Sequence, residues 1–239
     1  MNSDKLSARL LTVAKHVPQG ARLADIGSDH AYLPCYLAKN NQISFGVAGE
    51  VASGPYKLAE KNVLSEGLSE KISVRMGDGL EVIQPDEVDC ITIAGMGGSL
   101  ITSILEEGKD KLDRVKRLIL QPNISAITIR KWFLENEWEL IAEEIVEEDG
   151  KIYEILVAEK GDARKPYTKN KEMRLLMGPY LLREKNTAFI KKWAAEKENW
   201  QRISKQLGMA SHTQESLEKR EELLHKMQLV EEAFKNEES

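Results

Sequence analysis

The chain is poor in cysteine, histidine and aromatic residues: two cysteines, four histidines and 6% Phe, Trp and Tyr among 239 residues. Two thiols, Cys35 and Cys90, build no disulfide framework, and without a CxxC pair no zinc site or other metal is expected. That cysteine usage fits a reducing, cytoplasmic setting. Long apolar runs are missing as well. Leu118-Ile119-Leu120 stops at Gln121, far short of the ~20 apolar residues of a membrane span, so no membrane partner is expected. The opening MNSDKLSARLL lacks the apolar stretch of a secretory signal. Glycine (16) and proline (7) are too few for a collagen-like or low-complexity chain. What is present, 41% apolar and 31% charged residues, suffices for one substantial core and a smaller appendage.

The net charge of −5 conceals an asymmetry. Residues 1–163 hold 18 basic and 27 acidic side chains, residues 164–205 hold 12 and 4, and residues 206–239 hold 4 and 8. A local basic face can bind nucleic-acid phosphates on an acidic chain; it is also what a solvated, lysine-rich helix looks like.

Hydrophobic spacing predicts a helix over Asp4–Val17, with Leu6, Leu10, Val13, Ala14 and Val17 inward and Pro18 and Gly20 closing it. Short apolar runs then alternate with helical ones. Strands are predicted at Arg22–Ile26, Ile43–Val51, Ile72–Arg75, Val88–Ala94 and Arg117–Gln121, and helices at Ala31–Lys39, Ser53–Glu66, Ser99–Glu107 and Ser125–Glu137. Trp138–Ile145 and Lys151–Ala158 follow one another without a helix and should pair antiparallel. This order predicts an α/β domain over residues 1–161, a mostly parallel sheet ending in an antiparallel hairpin. Residues 162–239 read as a linker and a helical domain. There a short helix at Glu172–Gly178 precedes a long basic helix carrying Leu182, Phe189, Trp193, Trp200, Ile203 and Leu207. Gly208 breaks it, Ser211 or Thr213 caps the next, and Leu217, Leu224, Met227 and Phe234 continue the stripe, which predicts an antiparallel coiled coil.

Ligands of parallel sheets lie beyond the carboxyl ends of the strands. At that edge the predicted strands place Asp25 to His30, Glu50, Asp78, Gly95 to Gly98 and Gln121 to Asn123. The loop LADIGSDHAYLP is neither GxxxxGK[ST] nor GxGxxG. Asp25 and Asp29 make it a poor pyrophosphate site and suit a cofactor bearing positive charge, such as the sulfonium and ammonium of S-adenosylmethionine. An ordinary βα turn capped by Ser28 or Asp29 is the competing reading. Glu50 at the end of the second strand suits two ribose hydroxyls, and Asp78 between two glycines suits an adenine amino group. A dehydrogenase or a methyltransferase uses that pattern alike. The Asn-Pro-Pro-aromatic element of many amino-methylating enzymes is absent after ITIAGMGG, which is compatible with methylation of a ring nitrogen that needs no deprotonation and equally with another reaction altogether.

DIGSDHAYLP, GEVASGP, GDGL, AGMGG and LQPN, with GPYLLREKN in the tail, resemble the bacterial tRNA adenine-22 N1-methyltransferase family over nearly the whole chain. The resemblance implies a class I, S-adenosylmethionine-dependent enzyme with a Rossmann-like domain and a C-terminal coiled coil. It would methylate N1 of adenine 22 in the D-arm region of tRNA. By that likeness Asp25, Gly27, Ser28 and Asp29 surround the methionine end, Glu50 holds the ribose, and Asp78 with Gly79 recognises the cofactor adenine. Gly95, Met96, Gly97 and Gly98 line the methyl-transfer site, and Gln121, Pro122 and Asn123 flank the incoming base. Asp29 is implied as orienter and electrostatic partner, with His30 or Asn123 holding the 6-amino group. Phosphate contacts fall to Arg174, Arg183, Lys185, Lys191, Lys192, Lys197, Arg202 and Lys205, with Lys5, Arg9 and Lys15 extending the track. The partner expected is tRNA, not DNA, and the chain is expected to act as a monomer. Competing readings are a methyltransferase for another RNA or a small molecule, and a non-catalytic Rossmann-like module with a protein-docking arm.

Overall fold

A computed structural model describes residues 2–209 and 213–235. Two compact units divide between Lys165 and Pro166, and each is described by itself.

In the first unit Ser7 stops the chain from becoming helical earlier. Its hydroxyl accepts the Leu10 N–H at 3.2 Å, so helix α1 is Ala8–His16 and not the longer span from Asp4. The strands are β1 (Ala21–Ile26), β2 (Ile43–Glu50), β3 (Ile72–Met76), β4 (Cys90–Gly97), β5 (Arg117–Ile124), β6 (Trp138–Glu148) and β7 (Lys151–Lys160). Between them lie α2 (Tyr32–Lys39), α3 (Ser53–Ser65), α4 (Gly98–Glu107) and α5 (Ala126–Glu135). The sheet order is β3-β2-β1-β4-β5-β7-β6. β1 to β5 are parallel, and the hairpin adds β7 antiparallel to β5 and then β6 antiparallel to β7. β4 and β5 both run past the ends expected from the apolar pattern, Ala94 and Gln121, and Gly95 to Gly97 belong to the strand and not to a turn after it.

Strand alternation decides which residues meet which helices. Leu23, Cys90, Ile119, Ile155 and Val157 pack in one core with Leu10, Val13 and Ala14 of α1 and Leu33 and Leu37 of α2. Their alternates Ala24, Ile91, Ile93, Leu118 and Leu120 are fully buried as well, so the central strands are covered on both faces. Each buried aliphatic side chain contributes about 1.5–3 kcal/mol by leaving water. By the same alternation Asp25, Thr92, Gln121 and Tyr153 lie on the α1 face, one step along from Leu23, Cys90, Ile119 and Ile155.

Charge is also buried. Arg130 of α5 is 0% exposed and donates through Nε to Glu143 of β6 at 2.7 Å, while Nη2 binds Glu154 of β7. The triad ties α5 to the hairpin, and nothing in the apolar pattern announces it.

The second unit contains α6 (Lys171–Met177), α7 (Leu181–Glu184), α8 (Thr187–Met209) and α9 (Gln214–Lys235). α8 and α9 pack antiparallel: Phe189 meets Phe234 at 6.1 Å between ring centroids, and Lys197 pairs with Glu231 at 2.8 Å. α8 continues through Gly208 to Met209 instead of breaking there. Thr213 caps α9, accepting the Ser216 N–H at 3.2 Å; the alternative cap, Ser211, lies outside the described residues. The inward stripe of α9 is Leu223, Met227, Val230 and Ala233, whereas Leu217 and Leu224 are exposed. A heptad count started from Leu217 and Leu224 is therefore one position out of phase.

Arg130→Met should destabilise the first unit by about 3–5 kcal/mol, because it strands two buried carboxylates. Urea denaturation monitored by tryptophan fluorescence measures it, and adding Glu143→Gln and Glu154→Gln to that variant should restore most of the loss.

Candidate active site

The order of the sheet reverses between β1 and β4, and their carboxyl ends open a cleft of about 310 Å3. Asp25, Gly27, Ser28 and Asp29 line it from β1 and its loop, and Ala94, Gly95 and Met96 from β4. Asn123, Tyr153 and, from α1, Arg9 and Leu10 complete the wall.

Asp25 is 4% exposed, and its two oxygens accept the hydroxyls of Ser28 and Thr92, each at 2.6 Å. Burial pushes its carboxyl above the ordinary range, while those hydroxyls and the charge of Arg9 oppose the shift. Glu50, buried at the end of β2, accepts the Asp29 N–H at 2.5 Å. Burial raises its pKa too; the Asp29 amide opposes this, and the charges of Asp25 and Asp29 add to it.

The loop itself is strained. Asp29, His30 and Ala31 follow one another at φ +43, +71 and +57, a left-handed run that costs roughly 1–2 kcal/mol per residue. Its partners hold it there: Gly27 and Ser28 N–H donate to the Gly49 carbonyl, Glu50 takes Asp29, and Asn62 donates to the His30 carbonyl at 2.9 Å. The His30 ring stacks on Tyr32 at 5.2 Å and lies 3.3 Å from the Asp29 carboxylate. Gly27 sits at φ +67, a conformation that strains any residue with a Cβ, and its missing side chain leaves room for the Met96 methyl.

On the facing wall β4 slips register against β5 on either side of Met96. The peptide groups of Gly95 are paired by side chains instead of the ladder. Its N–H donates to Gln121 Oε1 at 3.0 Å, and its carbonyl accepts Asn123 Nδ2 at 2.7 Å. Gln121 Oε1 also accepts from Arg9 Nη1. At φ +81, with no Cβ, Gly95 presents bare backbone to the cleft.

The structure thus brings together Asp25, Gly27, Ser28, Asp29, Gly95, Met96 and Asn123 as expected. It places others differently. Gln121 is fully buried and supports Gly95 from below instead of flanking a base, and Pro122 is buried beside it. Gly98 is buried where a Cβ would lie 2.2 Å from the Ser125 carbonyl, so it serves helix packing, and Gly97 faces Ile124. Arg9 points into the cleft and is no part of an outer basic track. Asp78 is exposed at the head of a short 3-10 turn, its N–H donating to Glu81, and Gly79 packs on Ile104. In the second unit Lys185 Nζ donates to the Ala233 carbonyl at 2.7 Å, and Arg174 to the Pro166 carbonyl at 3.0 Å. Lys5, Arg183, Lys191 and Arg202 are exposed.

Sequence reasoning missed Thr92, Tyr153, Asn62 and the inward turn of Arg9. Two had a signal: Thr92 is a polar residue inside an apolar strand, and Arg9 stands three after Leu6 and four before Val13, within the apolar stripe. Tyr153 had none, because only the hairpin's insertion beside β5 brings it near.

A carboxyl with a raised folded-state pKa binds its proton more readily in the folded chain, so it lowers stability at neutral pH, and that penalty fades as pH falls through the folded pKa. Asp25→Asn should therefore raise Tm by a few degrees at pH 7, with the advantage shrinking toward acid. Thermal melts across pH read the effect.

A family profile described as "TrmK: tRNA (adenine(22)-N(1))-methyltransferase" matches residues 23–232. The Bacillus subtilis tRNA (adenine(22)-N(1))-methyltransferase is 52% identical over 235 residues, covering 98% of this chain and 99% of the relative. The crystal structure of the B. subtilis M1A22 tRNA methyltransferase TrmK superposes with a TM-score of 0.92 at 50% identity, over 96% of this chain and 99% of that one. Streptococcus pneumoniae Sp1610 in complex with S-adenosyl-L-methionine gives 0.84 at 44% identity, over 96% and 99%. An acidic loop facing a bare-backbone bulge across one cleft, together with agreement over nearly the whole chain, places this protein in the tRNA (adenine(22)-N(1))-methyltransferase family.

Proposed function

We propose that this chain transfers a methyl group from S-adenosylmethionine to N1 of adenine 22 in tRNA, in the cytoplasm. The observation that carries the reading is the cleft between the Asp25–Ala31 loop and the Gly95 bulge. There a buried carboxylate and a half-buried guanidinium face the bare backbone of Gly95. Those groups fit a cofactor that is cationic at sulfur and zwitterionic at its amino-acid end. When bound, S-adenosylmethionine supplies a methyl group activated by positively charged sulfur.

The chain's own part is orientation and electrostatics. Adenine N1 carries a lone pair, so no residue need remove a proton before attack. Positive charge builds on the ring as the methyl arrives, and Asp29, whose side chain is 74% exposed at the mouth of the cleft, supplies the negative partner. Asn123 spends its Nδ2 on Gly95, which leaves Oδ1 to accept from the 6-amino group beside its 3.4 Å contact with Gln121. His30, fixed by Tyr32 and the strained loop, sets the position of Asp29. Glu50 suits the ribose, and Asp78, just past β3 in the neighbouring strand's loop, suits the cofactor's adenine. The target base must leave its stack to enter.

The second unit is proposed to hold tRNA by its phosphates, with Lys191, Lys192, Arg183 and Arg202 as contacts. Trp193 is buried in that unit and Trp200 packs on it at 6.1 Å, so both serve packing over base stacking.

Methylation of mixed tRNA with labelled cofactor, followed by mapping of the modified base, should place the label at N1 of adenine 22. Undiminished incorporation into tRNA substituted at that position would refute the assignment. Asp29→Ala should lower turnover about 100-fold or more while leaving tRNA affinity within about 2-fold, as expected of a group that acts through developing charge. Removing Lys191 and Lys192 together should weaken tRNA binding and flatten the salt slope by about one unit for each phosphate no longer neutralised.

A further inference from the structure

Extruding a base breaks its stacking on both neighbours and leaves a gap in the nucleic acid. Apolar side chains inserted between base steps occupy such gaps in other complexes. A side chain suited to this stands at the rim of the cleft, is exposed and stiff, and is anchored by more than a loop. Ile124 meets each condition. It is 70% exposed at the last position of β5, directly after Asn123, which lines the cleft. Branching at Cβ restricts its χ1. Pairing with Gly97 of β4 holds the strand end, and a Cβ on Gly97 would lie 3.9 Å from the Ile124 side chain. Asn123 Nδ2 on the Gly95 carbonyl, at 2.7 Å, ties the same strand end to the bulge. Beyond it Ser125 turns the chain into α5 at φ +60, in the left-handed region that residues with a Cβ rarely adopt.

Exposure alone would mean little, since single aliphatic side chains are common on surfaces. Place is what distinguishes Ile124. Val51 and Met76, also exposed, stand next to Glu50 and at the end of β3, on the strands assigned to the cofactor, whereas β5 lies across β1 and β4 from them. The helices that begin on either side of Ile124, α4 at Gly98 and α5 at Ala126, have no acidic residue in their first turns, so their positive ends face a polyanion unopposed. We propose that Ile124 enters the tRNA stack beside adenine 22 and occupies the space the base vacates, while Asn123 meets the base inside the cleft. This rests on the methyl-transfer reading above. Ile124 is then a positioning residue: it touches the neighbours of the target base and none of the reacting atoms.

Single-turnover methylation at saturating enzyme tests this on two substrates. One is the folded tRNA; the other carries an abasic residue in place of the nucleotide facing adenine 22, which lowers the cost of extrusion. Ile124→Ser should slow methylation of the folded tRNA about 10-fold or more and of the abasic tRNA by about 3-fold or less, because only the first depends on filling the gap. Its Tm and its calorimetric affinity for S-adenosylmethionine should match the wild type. Ile124→Leu, still apolar and of the same size, should stay within about 3-fold of the wild-type rate on both substrates. Equal slowing on both substrates would overturn the proposal, and a lowered Tm with it would mark a packing role. No slowing on either would overturn it too and leave this rim to another partner. A wild-type chain that methylates adenine 22 in neither substrate overturns the methyl-transfer reading itself.

Discussion

Two peptide groups at Gly95 govern the site. Where β4 slips register against β5, the amide and carbonyl of that residue are paired off the ladder, by side chains. Gln121 and Asn123 pair them from the neighbouring strand, so the bulge is held by the sheet that it interrupts. Several features follow from that one repair. The backbone lies bare toward the cleft, Gln121 is committed below the surface, and its oxygen still has a lone pair for Arg9. The geometry of this wall of the cleft is thus carried by strands and not by a loop.

The opposite wall is built by strain. Three successive non-glycine residues in the left-handed region persist because the Gly49 carbonyl, the Glu50 carboxylate and the Asn62 amide over-determine them. That run carries the Asp29 carboxylate out to solvent while Asp25, four residues earlier, stays buried under two hydroxyls. One short loop therefore presents two carboxylates in different dielectric surroundings, one buried within the wall and the other exposed at the mouth.

The second unit follows different rules. Its helices bury a narrow stripe and turn charged side chains outward, with some cations already engaged: Lys197 with Glu231, and Lys185 on the carbonyl of Ala233. Net positive charge over residues 164–205 is thus not the same as the number of phosphates the unit can hold. In the first unit the corresponding subtlety is Arg130, a charge spent wholly on internal attachment of α5 to the β6–β7 hairpin.

Local chemistry determined much of this molecule. Apolar runs of strand length set between amphipathic helices specify a parallel sheet, and a tight βα loop sets Asp25 and Asp29 at its carboxyl edge; both depend on residues close in sequence. The hairpin's antiparallel pairing was equally legible, because no helix separates its strands. Tertiary structure alone decided what depends on strand order and phase. The insertion of β7 between β5 and β6 brings Tyr153 to the cleft, and the shared face of Asp25, Thr92 and Gln121 turns Arg9 from a surface cation into part of the wall. Those contacts join residues far apart in the chain, 112 positions for Arg9 and Gln121, and periodicity in one segment carries no information about the phase of another.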